Sequence, residues 1–183
     1  MSRSLDKALE GAFTRPVPKS AGAQMRYLIK QHHGRTKAVA TLLGVSQRTV
    51  ERYVKDQIKK PRPDLAARME REVKQRWQPQ VRARARKTAA TTGGIVIDTR
   101  ARLGCTAPIG TTDETRIRHL TVALSPQYAD RLFTARERGA GERELQAVAA
   151  EALKDVYFQD GGRRAGDLEE VPLTDVEHIE FEL

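Results

Sequence analysis

Residues 36–55, TKAVATLLGVSQRTVERYVK, constrain the fold more than any other stretch of this chain. Their spacing predicts two short helices joined by a tight turn. Ala40 is small where the second helix must cross closely. Gly44 stands at the turn, where a left-handed backbone is needed and a Cβ costs energy. Val39, Leu43, Val45, Val50 and Tyr53 fall where the two helices bury apolar surface against each other. Ser46 is the expected N-cap of the second helix. The outward positions of that helix carry Gln47, Arg48, Thr49, Arg52 and Lys55, donors suited to base edges and phosphates in a major groove. Helix pairs with a glycine turn also occur in proteins that never touch DNA.

The charge of the chain favours an anionic partner. It holds 33 Lys and Arg against 24 Asp and Glu, net +9, and the excess is uneven. Residues 1–92 carry 22 basic and 7 acidic side chains, net +15, whereas residues 93–183 carry 11 and 17, net −6. A basic half joined to an acidic half points to a polyanion for one of them, and the phosphate backbone is the obvious candidate.

The first half reads as helical. Pro16 and Pro18 keep TRPVPK extended. Ser20 is placed to cap a helix from about Ala21 to His33, which completes a trihelical unit. Lys59-Lys60-Pro61-Arg62-Pro63 is a stiff basic connector, with Lys59 and Lys60 as further phosphate-binding candidates. Asp64 is placed to cap another helix, whose Leu65, Met69, Val73 and Trp77 form one apolar stripe for core packing. The second half reads as mixed. VRARARK alternates, predicting a strand; Thr91 to Gly94 is a predicted turn; Ile95 opens a second strand reaching about Leu103. Paired, the two would present Arg82, Arg84 and Arg86 as a row, with Arg100 and Arg102 beside it, facing either a nucleic-acid backbone or solvent. A loop over 104–114 leads to a strand over 115–124. Ser125-Pro126 opens a helix, Gly139 to Gly141 end it, and another runs from Glu142 to about Phe158. A final strand starts near Leu173. The expected fold class is α+β: an all-α helix-turn-helix domain over 1–79, then a smaller α+β domain over 80–183 with an antiparallel sheet and two helices.

Several function classes find no support. The single cysteine, Cys105, excludes an internal disulfide and fits a reducing compartment. No apolar run approaches the ~18 residues of a membrane span, and MSRSLDKALEGAF has no signal core. His32, His33, His119 and His178 form no metal-ligand spacing with Cys105. Gly93-Gly94 and Gly161-Gly162 are turns, without the lysine of a phosphate-binding loop. No nucleophile–base pair stands out, so a self-contained enzyme is not expected.

Assembled in order, these segments resemble the telomere terminal proteins of Streptomyces-type linear chromosomes and plasmids. The blocks that carry the resemblance are FTRPVPKSAGAQMRYL, RTVERYVKDQIKKPRP, RWQPQVRARARK, AATTGGIVIDTRARLG and YFQDGGRRAGDLEEV, and they span nearly the whole chain. The resemblance implies a protein primer: a threonine hydroxyl receives the first nucleotide when a recessed 5′ end is filled in, and stays covalently attached to the DNA. It implies partners as well, namely telomeric DNA, a telomere-associated protein and a DNA polymerase, with room for a homodimer. The chain itself would bind no cofactor; a dNTP, in the first instance dCTP, and a divalent metal would act through the polymerase. The location implied is the bacterial cytoplasm, at chromosome ends in the nucleoid.

In such proteins the acceptor lies between the glycine-marked strand and the next one, a region that here offers Thr106, Thr111, Thr112 and Thr115. Thr112, in Gly110-Thr111-Thr112-Asp113, is the choice taken. An exposed loop tip can enter a polymerase site and a strand interior cannot. A threonine hydroxyl is secondary, like a 3′-OH, and paired metals can stabilise its alkoxide. The alternative is a transcriptional repressor with an α+β dimerisation domain, which needs no reactive hydroxyl.

Overall fold

A computed structural model describes residues 1–106, 112–163 and 171–183; for 104–106 and 112–116 the description is limited to the backbone. The fold is α+β, with eight α-helices and a three-stranded antiparallel sheet among the described residues. It divides into two compact units, Thr14–Pro79 and Met1–Phe13 with Gln80–Leu183.

Thr14–Pro79 is all-helical: α2 (Ala21–Gln31), α3 (Thr36–Leu43), α4 (Gln47–Val54) and α5 (Pro63–Arg76). Met25, Leu28, Val39, Leu43, Val50, Met69 and Val73 are fully buried in one core. Ser20 caps α2, its Oγ accepting from the Ala23 amide at 3.3 Å. Asp64 does not cap α5. That position falls to Arg62, with Pro63 as first residue and Asp64 in the first turn, where its charge suits the helix dipole. The Leu65–Met69–Val73 stripe packs against α2 and α3 as expected. Trp77, just past α5, meets Tyr27 edge to face at 4.9 Å and donates to the Arg15 carbonyl at 3.1 Å, which ties the entry segment down.

The other unit holds α1 (Ser2–Gly11), α6 (Pro79–Thr88), β1 (Ile95–Thr106), β2 (Thr112–Leu124), α7 (Pro126–Glu137), α8 (Glu142–Leu153) and β3 (Leu173–Glu182). The strand order is β2-β1-β3. β1 is central: Ile97 stands opposite Val122 on one side and Phe181 on the other. Ile95, Ile97, Ala101 and Leu103 alternate onto the buried face, where Leu120, Leu124, Leu132, Phe133, Leu145 and Leu153 join them. Thr99 is buried on that face as well, satisfied by donating to the His178 carbonyl at 3.0 Å.

Several sequence expectations are corrected here. VRARARK is not a strand but α6, since Ala and Arg are strong helix formers and the alternation buries nothing completely. Thr91 to Gly94 is not a simple turn: α6 runs into a π-helical turn over Ala89–Gly93. The hairpin partner of β1 is therefore β2. The first thirteen residues were expected with the helix-turn-helix. They form α1, which buries Leu5, Ala8 and Leu9 in the α+β core, and Ser4 Oγ accepts from the Phe181 amide at 2.8 Å. The α+β unit is thus the larger of the two. Tyr157, near the end of the segment expected as one helix from Glu142 to about Phe158, is 43% exposed. Ser125 opens α7 by position, but its hydroxyl caps nothing.

Candidate nucleic-acid interface

The turn of the motif is built as its sequence requires. Gly44 takes φ 62° and ψ 40°, ending α3 in the left-handed region. Ser46 then caps α4: its Oγ accepts from the Thr49 amide at 3.2 Å and lies 2.9 Å from the Thr49 hydroxyl. Val50 and Tyr53 face inward, and Tyr53 is 3% exposed. Burial pushes its phenol pKa up, against the pull of Arg52 and Arg62. Gln47, Arg48, Arg52 and Lys55 are left exposed; Thr49 is half-buried.

The ion pairs of this unit leave that face cationic. Thr14–Pro79 holds 16 basic and 5 acidic side chains, net +11, so the whole positive excess of the chain resides here. Asp56 pairs with Arg26, Asp64 with Arg68, Glu70 with Lys74 and Glu72 with Arg76. The fifth acid, Glu51, accepts from the Gln47 amide at 3.0 Å. Every carboxylate is thereby matched without drawing on Arg48, Arg52, Lys55, Lys59 or Lys60, which are all exposed. Such a face has a favourable use in displacing the counterions of a polyphosphate.

The arginines of α6 do something else. Arg82 pairs with Asp6 at 3.4 Å and lies over the Phe13 ring. Arg86 holds the Glu137 carboxylate with one nitrogen, at 2.5 and 2.6 Å, and the Thr134 hydroxyl with another at 3.2 Å. Both sit within the α+β unit as struts from α6 to α1 and α7. Only Arg84 of the three is exposed. The expected row is therefore absent, because positions two apart share one face of a strand but diverge by about 200° around a helix. Arg100 and Arg102 pair with Glu177 and Asp175, at 2.9 and 3.0 Å.

The expected loop over 104–114 is shorter than its composition suggested. β1 continues to Thr106, which stands opposite Thr112, the first residue of β2. Thr112 thus begins a paired strand instead of lying in a loop. Thr111 lies outside the described residues, as do the side chains of Thr106, Thr112, Thr115 and Cys105.

One constellation went unnoticed in the sequence. Asp98, on the open face of the sheet, accepts from Thr121 Oγ1 at 2.6 Å and lies 3.2 Å from Nε2 of both His119 and His178. The Thr121 and His119 hydrogen bonds hold its carboxyl below the ordinary value. Only strand register could have revealed it, since these residues lie on three strands and far apart in sequence. It ties the strands together by side chains. Among the described residues no group of three His, Cys, Asp or Glu is arranged to hold a metal, and no helix is long and apolar enough to cross a membrane. No family model, curated protein or solved structure matches the chain.

Proposed function

We propose that this chain is a telomere terminal protein: a DNA-binding protein primer that becomes linked to the 5′ end of a linear replicon through a threonine hydroxyl. The observation that carries the DNA-binding half is α4, whose outward cations have no carboxylate partner among the described residues while every carboxylate of its unit is engaged elsewhere. The priming half rests on the ordered blocks of the sequence resemblance, with Thr112, the first residue of β2, as acceptor. In that role the protein supplies the hydroxyl, and a partner DNA polymerase, with its divalent metals and a dNTP, performs the transfer. The threonine oxygen attacks the α-phosphorus and pyrophosphate leaves. A telomere-associated protein would bring the chain to the DNA end, in the nucleoid of a bacterial cytoplasm.

The test is intact mass of the protein after incubation with telomeric DNA, dNTPs and a host extract that labels a known terminal protein, followed by peptide mapping of residues 104–118. A nucleotide adduct on a threonine there establishes the primer role. An unmodified chain gives first place to the competing reading, a helix-turn-helix repressor with an α+β dimerisation domain, which the same α4 surface would serve.

A further inference from the structure

We infer that the helical unit reads base-paired DNA at guanines, with Arg48 and Arg52 each taking one guanine and the two guanines about two base-pair steps apart. This rests on the DNA-binding half of the proposed function and is independent of the priming half.

The first support is what the arginines lack. Arg48 and Arg52 are exposed, four residues apart on α4, opposite the buried Val50 and Tyr53. Neither guanidinium is engaged by a carboxylate of its unit, each of which has another partner. An arginine fork in a major groove matches the O6 and N7 acceptors of guanine better than any other base edge. Four residues of helix advance about 6 Å, close to two steps of about 3.4 Å along a strand. A helix lying along the groove therefore sets its two forks over guanines separated by one intervening base pair.

The second support is Gln47. A free glutamine would match adenine through its amide donor and its carbonyl together. Here the amide donates to Glu51 at 3.0 Å. Gln47 keeps its carbonyl and its second amide hydrogen, but the bond to Glu51 fixes the plane of the amide, so an adenine-reading pair must fit that plane or break the bond.

The third support bears on base pairing. Proteins that hold unpaired strands offer exposed aromatic rings on which bases stack. The helical unit has three aromatic residues, and all are occupied internally. Tyr53 is buried, Tyr27 and Trp77 pack on each other, and the Tyr27 hydroxyl and the Trp77 indole N–H donate to the carbonyls of Arg76 and Arg15. Recognition then falls to groove edges, which only a duplex or a hairpin stem presents.

The test uses the full chain. Binding sites are first selected from a randomised duplex, and affinity is then measured for the selected site, for its two separate strands, and for versions carrying 7-deazaguanine, which lacks the N7 acceptor. We expect two enriched guanines separated by one intervening base pair, with both separated strands bound at least tenfold more weakly. Each 7-deazaguanine should cost about five- to a hundredfold with the unaltered protein. At one guanine that loss should vanish in Arg48→Ala, and at the other in Arg52→Ala, with thermal unfolding unchanged in both variants. Tight duplex binding without guanine enrichment, or equal sensitivity to 7-deazaguanine in the variants, overturns the inference and leaves DNA binding standing. Tighter binding to a single strand overturns it as well. No binding to any DNA at low salt removes the DNA-binding reading itself.

Discussion

Two glycines show how differently one residue type can be demanded. Gly44 has a positive φ, yet a Cβ there would meet only the Arg68 side chain, 4.0 Å away. Gly94 has φ 70° and ψ −157°, a region almost confined to glycine, and a Cβ there would lie 2.1 Å from the Leu124 carbonyl oxygen. Gly44→Ala should therefore cost about 1 kcal/mol of stability, and Gly94→Ala about 3 kcal/mol or more, because backbone must move. Denaturant unfolding of both variants checks the order; an equal loss would contradict it. Tyr128 makes a second residue-scale prediction. Burial, with the neighbouring Asp155 and Glu151 carboxylates, pushes its phenol up to about 12. An unfolded tyrosine ionises near 10. The folded state thus holds this proton over a range where the unfolded chain releases it. That contribution to stability is complete below about pH 10 and is lost as pH rises toward 12. Tyr128→Phe should flatten the alkaline fall in melting temperature; an unaltered fall would show that the group does not govern it.

Elements explain most of what sequence reasoning caught and missed. The motif was legible because Gly44, Ser46 and the Val50–Tyr53 pair answer local demands that no distant contact alters. α7, α8 and β3 carried local signals too, in a Ser-Pro start, a Gly-Ala-Gly stop and alternation. α6 was misread because alternating Ala and Arg fits a strand by pattern and a helix by propensity, and tertiary contacts of Arg82 and Arg86 decided between them. α1 was legible in principle, since Leu5, Ala8 and Leu9 recur at helical spacing. The Asp98 cluster was not, because it exists only once register is set. The corrected α6 alters what its arginines should do. Arg82→Ala and Arg86→Ala should lower the free energy of unfolding, each by about 1 kcal/mol, given the partial exposure of their partners. Arg84→Ala should leave it unchanged. Lys59→Ala with Lys60→Ala should instead reduce the salt slope of DNA binding, by up to about 0.9 for each phosphate these lysines neutralise. An unchanged slope would make the connector a solvated segment.

At the scale of the molecule, charge and chemistry are divided between two units. The helical unit carries net +11, while the α+β unit, with 17 basic and 19 acidic side chains, is close to neutral and carries every acceptor threonine under consideration. Sequence halves already showed the imbalance, at +15 and −6, and the structural boundary narrows it to +11 and −2, because α6 takes Arg82, Arg84, Arg86 and Lys87 to the other unit. This partition predicts that binding and priming separate by mutation. Thr112→Ala removes a hydroxyl from a unit whose charge contributes little to phosphate attraction, so it should abolish labelled dCMP incorporation while leaving duplex affinity within about twofold, a change of about 0.4 kcal/mol. Arg48→Ala with Arg52→Ala leaves the hydroxyl in place but removes the two guanidinium forks proposed to read the groove. It should weaken duplex binding by about 1–3 kcal/mol for each fork that pairs with a base in bidentate fashion. Its incorporation should recover toward that of the unaltered chain as the DNA concentration is raised to offset the weaker binding. Parallel titrations of incorporation and affinity for both variants decide the matter. Persistent labelling of Thr112→Ala would move the acceptor to Thr106, Thr111 or Thr115. A defect in the double arginine variant that no DNA concentration relieves would mean that α4 also takes part in assembling the priming complex.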